Sequence, residues 1–196
     1  MPEALRERLL ELLLVKLKFS AACLMPAPLL AMRAVGAATG SGITLDVGSR
    51  SAELAFVHTG TVLSGLSLEF SLPLTVKDAD KAVTTPCRDW AAWVGQVAAA
   101  INQTLQTVEP GSATRLADRL LLMGGNAKHV APHFAAAIKM AADGAPLRRV
   151  RPPMLATRPE ELVLTGAQLL AARAAVDLKE RTRLFVTYEI YCSKEP

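Results

Sequence analysis

The chain has 196 residues, 51% of them apolar and 20% charged, enough to bury the core of one full-sized domain. That composition excludes an intrinsically disordered chain. The net charge of +4 falls short of the basic footprint of a nucleic-acid binder.

Cys23, Cys87 and Cys192 are scattered and form no C-x-x-C pair, which suits a reducing compartment better than a disulfide framework. The apolar text from Leu9 to Leu30 is interrupted by Glu11, Lys16, Lys18 and two prolines, so it is not a clean membrane span. Glu3, Glu7 and Glu11 also argue against an acid-poor transit peptide. The expectation is a soluble intracellular protein without membrane insertion.

Pro2 to Phe19 reads as an amphipathic helix with Leu5, Leu9, Leu12 and Leu13 on one face. Pro26 and Pro28 break it, and a short helix from Leu29 to Val35 ends at Gly36 before the loop GAATGSG. Three strand-like runs follow. ITLDV, AELAFV and TVLSGLSLEF, the last two separated by HTG, predict an antiparallel meander from Ile43 to Phe70.

Lys77 to Val83 reads as a short helix, and Asp89 starts a longer one reaching Leu105. Its stripe of Trp90, Trp93, Val94, Val97 and Ile101 reads as core filler. TVEPGSATRLAD reads as a connection, and RLLLMGG as a short strand stopped by two glycines. HVAPHFAAAIKMAA is helical, PLRRVRPP extended, and RPEELVLTGAQLLAARAAV helical, with proline near its start and two glutamates in its first turn. No repeat or low-complexity linker divides the chain. One α/β domain with a mixed sheet is the expected architecture.

Two glycine turns could approach a phosphate. Asp46-Val47-Gly48-Ser49 ends the first strand: glycine permits a tight turn, and aspartate could order a metal-bound water. Gly124-Gly125-Asn126 lies between an apolar strand and a helix, where ligands sit in open α/β sheets. Singly, turns use the same residues. No Walker lysine, Rossmann G-x-G-x-x-G, H-E-x-x-H or G-x-S-x-G motif occurs. His129 and His133 have i, i+4 spacing but lack further ligands for zinc. Asp78 with Asp80, and Glu160 with Glu161, read as solvated faces. Arg148, Arg149 and Arg151 read as a solvent-facing strand edge, since no aromatics interleave with them.

In chain order these pieces resemble the C-terminal half of the actin fold, as found in actins and actin-related proteins. RERLLELLLVKLKFSAACLMPAPLLAMRAVG is similar to the segment before the second phosphate loop, and GITLDVGSRSAELAFVHTGTVLSGLSLEF to the phosphate hairpin itself. ADRLLLMGGNAKHVAPHFAAAI resembles the adenosine-side strand, glycine turn and helix. RPPMLATRPEELVLTGAQLLA resembles the closing Pro-Pro and glycine-containing helix, and FVTYEIYCSKEP the terminal helix. The resemblance implies a ribonuclease H-like, actin-type half: an antiparallel meander plus parallel strands, flanked by helices, spanning 1–196 with the outer subdomain insertion largely lost. It also implies a vestigial ATP/ADP site at Asp46, Gly48, Ser49, Gly124, Gly125 and Asn126.

The departures bear on function. No first phosphate loop is present, Ser49 occupies a later acidic position of the second loop, and the water-positioning glutamine expected near Pro26 to Leu30 is absent. Orienting water and neutralising phosphate charge are the tasks of such a site, so ATP hydrolysis by this chain is not expected. Met1 falls where an actin-like chain would already be well under way, so the chain supplies half a cleft and reads as either a short protein or a truncated one. LMPAPLLAMRAVG and LDVGSRSAEL are most similar to the divergent branch at the pointed end of dynactin. That branch implies a cytoplasmic, cytoskeleton-associated capping subunit in dynein-based transport, whose partners are other actin-like subunits. Chromatin-remodelling actin-related proteins imply a nuclear alternative. An ATPase or sugar-kinase-like enzyme completed by another chain, and a bacterial pilus- or chaperone-type member, are the further alternatives.

Overall fold

The computed structural model describes residues 2–37, 40–63, 68–71 and 90–193. The expected helix at 77–83, Cys87, Asp78 with Asp80, and parts of the loop at 37–41 and of the third strand lie outside these residues. The chain folds as two compact units, one of Met1–Pro26 with Gln168–Pro196, the other Ala27–Ala167.

The elements are α1 (Glu3–Leu10), β1 (Ala21–Ala22), α2 (Ala27–Ala34), β2 (Gly42–Val47), β3 (Ser51–His58), β4 (Thr61–Val62) and β5 (Leu68–Ser71). Then come α3 (Trp90–Thr107), α4 (Pro110–Ala117), β6 (Leu120–Met123), α5 (Ala127–Met140) and β7 (Met154–Leu155). The chain ends with α6 (Leu162–Val176), α7 (Leu178–Leu184), β8 (Val186–Thr187) and α8 (Tyr188–Cys192).

The larger unit is built on a mixed sheet ordered β4-β3-β2-β6-β7. β4 and β5 share the outer edge of β3, opposite 57–58 and 51–54 respectively. β2 and β3 pair antiparallel, whereas β2–β6 and β6–β7 are parallel. Parallel neighbours need a crossover of a dozen or more residues, and α3 with α4, then α5, supply it.

The central strands read as continuous apolar runs because both of their faces are covered. Ile43, Leu45, Val47, Leu120 and Leu122 face a core shared with Trp93, Val97 and Ile101 of α3, Leu116 of α4, and Val130 and Phe134 of α5. Leu121 and Met123 point the other way, to Ala31 and Met32 of α2 and Leu162 of α6. Each buried Val, Leu, Ile, Met or Phe among them contributes about 1.5–3 kcal/mol of burial. Both tryptophans are filler, as their stripe predicts. Trp93 is buried in edge-to-face contact with Trp90 at 5.7 Å and Phe70 at 6.3 Å.

Several segments differ from their expected form. TVEPGSATRLAD contains α4: Glu109 caps it by accepting from the amides of Gly111 and Ser112, and Pro110 occupies the first turn. A proline tolerated at a helix start cannot by itself separate helix from loop. PLRR is a short 3₁₀ turn (Pro146–Arg149) rather than an extended edge. It is held by the amide of Leu147 donating to Asn102 Oδ1 at 3.1 Å. The region 177–184, which carries no strong apolar period, forms α7, capped by Asp177 on the amides of Lys179 and Glu180.

In the smaller unit the leading helix widens into a π turn over Glu11–Lys16, with the Leu17 amide donating to Leu12 O. The chain then leaves helical geometry at Lys18, φ +56°. Its buried face is Leu10 and Leu14, packed with Ala22, Val186 and Tyr191, while Leu5 and Leu12 of the expected stripe are exposed. β1 and β8 pair antiparallel, so the terminal segment is a short strand followed by helix. Among the described residues no helix is long and apolar enough to cross a membrane.

Candidate functional site

The parallel register sets Asp46 of β2 opposite Met123 of β6. The two glycine turns therefore emerge side by side at the carboxyl ends of adjacent strands, the usual ligand-facing end of an open α/β sheet. Gly48 closes the first turn through its amide, which donates to Ser51 O at 3.0 Å. Gly124 has φ +88°. A Cβ there would run into Asp46 Oδ1 and lie 2.6 Å from Val47 O, so glycine permits both the left-handed backbone and the close approach of the loops.

Asn126 ties the turns together twice. Its amide donates to Val47 O at 3.0 Å and its side-chain Nδ2 to Gly48 O at 2.6 Å. The Gly124 amide donates to Pro159 O at 3.1 Å, just before α6. Ser49 and Gly125 are exposed at the same end. The structure thus brings the six sequence-derived residues to one end of two strands, and joins four of them by bonding or contact. Pro159 escaped sequence reasoning, because a carbonyl acceptor leaves no mark in residue type.

Asp46 is the one ionisable group of the six. Burial raises its pKa above the ordinary 3.8, since a partly desolvated carboxylate is disfavoured relative to its neutral form. A phosphate would need amides or cations, and the six residues carry no cation. The amides of Gly48, Gly124 and Asn126 already donate to Ser51, Pro159 and Val47 carbonyls. Those three amides are not on offer to a phosphate, while Ser49 and Gly125 stay exposed beside them.

The other sequence candidates are dispersed. His129 is exposed and His133 half-buried on α5. Among the described residues no group of three or more His, Cys, Asp or Glu side chains could hold a metal ion. Glu161 pairs with Arg158 at 3.0 Å, whereas Glu160 is exposed. Arg148 donates to Lys139 O, and Arg151 pairs with Asp118 at 3.5 Å.

No protein-family model matches the chain, and no curated protein matches it.

Proposed function

We propose that the chain is a non-catalytic, actin-related subunit that acts through protein–protein contacts, its two phosphate-type turns kept as a structural joint. The observation that carries this reading is the internal use of the amides of Gly48, Gly124 and Asn126. Hydrogen-bonding groups already satisfied within the protein are not on offer to a phosphate. The mixed sheet supports it too: an antiparallel meander whose first strand continues into parallel neighbours is the arrangement the actin resemblance implies. The pointed-end component of dynactin is the particular role proposed, with other actin-like subunits as partners. Capping requires one face that binds the last protomer and another that refuses the next.

The test is two measurements on purified protein. Native isolation recovers actin-like subunits in stoichiometric association, and Mg-ATP leaves the melting temperature unchanged. A ligand that binds the native state must raise that temperature. Isolation without any actin-like partner overturns the reading, and so does a saturable Mg-ATP shift.

One observation favours a second reading, a nucleotide-processing enzyme completed by another chain. The half-buried Asp46 carboxylate sits at the carboxyl end of a parallel strand pair. There Asp46→Ala abolishes turnover, whereas a scaffold has no turnover to lose.

A further inference from the structure

Away from the strand-end turns, the larger unit carries a second concave feature. Leu105 and Ala117 floor a cavity of about 210 Å³, walled by Val108, Ala113 and Pro146 and rimmed by Arg149. It lies where the end of α3, the length of α4 and the 3₁₀ turn at Pro146–Arg149 converge.

Three separate tethers hold this cleft in shape. Asn102 of α3 accepts from the Leu147 amide at 3.1 Å, the Arg151 amide donates to Ala117 O of α4 at 3.0 Å, and Glu109 fixes the start of α4. A concave surface built this way loses little entropy on binding.

The charges around it are unequal. Arg148 is spent on the Lys139 carbonyl and Arg151 on Asp118. Arg115 donates to Gly111 O at 3.4 Å. Of the acids at the ends of α4, Asp118 is paired with Arg151, and Glu109 accepts from two amides at the helix start, whose dipole offsets part of its charge. Arg149 is exposed at the rim, and among the described residues no hydrogen bond or ion pair engages its guanidinium. An apolar cleft beside an uncommitted guanidinium complements an apolar group followed closely by a carboxylate.

Size decides between kinds of occupant. Drug-sized ligands and cofactors occupy roughly 300–1,000 Å³, whereas a cavity of about 150 Å³ already holds benzene. The cleft has room for one bulky side chain. Single anchors of that kind dominate peptide and protein recognition.

We infer that this cleft is a docking site for an acidic peptide segment of a partner protein, with one phenylalanine or leucine seated between α3 and α4 and a neighbouring carboxylate on Arg149. The inference uses none of the six strand-end residues, so it stands or falls separately from the actin-related reading.

The experiment is fluorescence anisotropy on the full chain with a labelled peptide in which aspartates and glutamates flank one phenylalanine. Saturable binding is expected, lost when alanine replaces the peptide's phenylalanine. Arg149→Glu weakens it about three- to tenfold, the range of an exposed to well-formed Arg–carboxylate pair, and a lysine-for-acid peptide recovers the loss on that variant. Ala113→Leu, which narrows the cleft, weakens both peptides while circular dichroism verifies the fold. Absence of saturation by about 1 mM, or binding indifferent to Arg149→Glu, overturns the proposal. Competition by 4-phenylbutyrate as strong as that of unlabelled peptide overturns it in favour of a small-molecule carboxylate.

Discussion

Asn126 Nδ2 donates to the carbonyl oxygen of Gly48 at 2.6 Å, joining residues 78 apart in sequence. With the Asn126 amide on Val47 O, this bond locks the turn after β2 to the turn after β6. Asn126→Ala removes the side-chain bond alone and leaves an acceptor short of its partner, so a loss of about 1–2 kcal/mol is expected. Asn126→Asp costs more, because a carboxylate then faces a carbonyl. Urea unfolding checks both, the midpoint falling while the slope stays constant.

Gly124 and Gly125 are adjacent glycines with opposite tolerances. A methyl group at Gly124 meets Asp46 Oδ1 and the Val47 carbonyl from a backbone at φ +88°, whereas one at Gly125 meets nothing within 4 Å among the described residues. Gly124→Ala is expected to cost about 3 kcal/mol or more, through combined backbone strain and overpacking. Gly125→Ala stays within about 1 kcal/mol of wild type. Thermal unfolding of the two variants side by side reads the contrast, and equal losses would show that the turns do not meet as described.

The two glycine turns could be read from the sequence, but not the bonds that join them. Asp46, Gly48 and Gly124 through Asn126 stand out because each group follows an apolar run and contains glycine. Their meeting depends on the parallel register of β2 with β6, which the strands' own text does not encode. β2, β3 and α3 were legible because burial imposes a clear apolar pattern on them. α4 was not, since its start is a glutamate cap followed by Pro, Gly and Ser, all of which also build loops. The leading helix was legible as a helix, yet its buried face is Leu10 and Leu14, set by which side Ala22 and Val186 approach.

Gly166 sits at a close helix approach in the larger unit, where its missing Cβ would coincide with the Leu30 carbonyl of α2. Backbone cannot swing aside as the end of a side chain can. Gly166→Ala is therefore expected to displace α6 from α2 and cost about 3 kcal/mol or more. The control is Gly95, in α3, where a Cβ meets nothing within 4 Å among the described residues. Gly95→Ala gains about 0.5–1 kcal/mol from helix propensity. Calorimetric melting separates the pair by opposite shifts.

Asp46 and Glu109 give the stability–pH curve two opposing contributions. Burial raises the Asp46 pKa above 3.8, so the folded protein binds that proton more tightly than the unfolded chain. Its ionisation is a penalty fully present at neutral pH and relieved as pH falls from the raised value toward 3.8. Glu109 behaves inversely. Hydrogen bonds from the Gly111 and Ser112 amides hold it below its ordinary 4.5, so its stabilisation is present above that value and lost as pH falls through the depressed one. Asp46→Asn should accordingly be more stable than wild type at pH 7, the gain closing in acid. Glu109→Gln should be less stable at pH 7, with that deficit also closing in acid. Urea midpoints for both variants and wild type, measured from neutral pH down to about 3, test the signs independently. A neutral-pH loss for Asp46→Asn would mean that the carboxylate is held by a favourable partner, and would redirect attention to a cation at the strand ends.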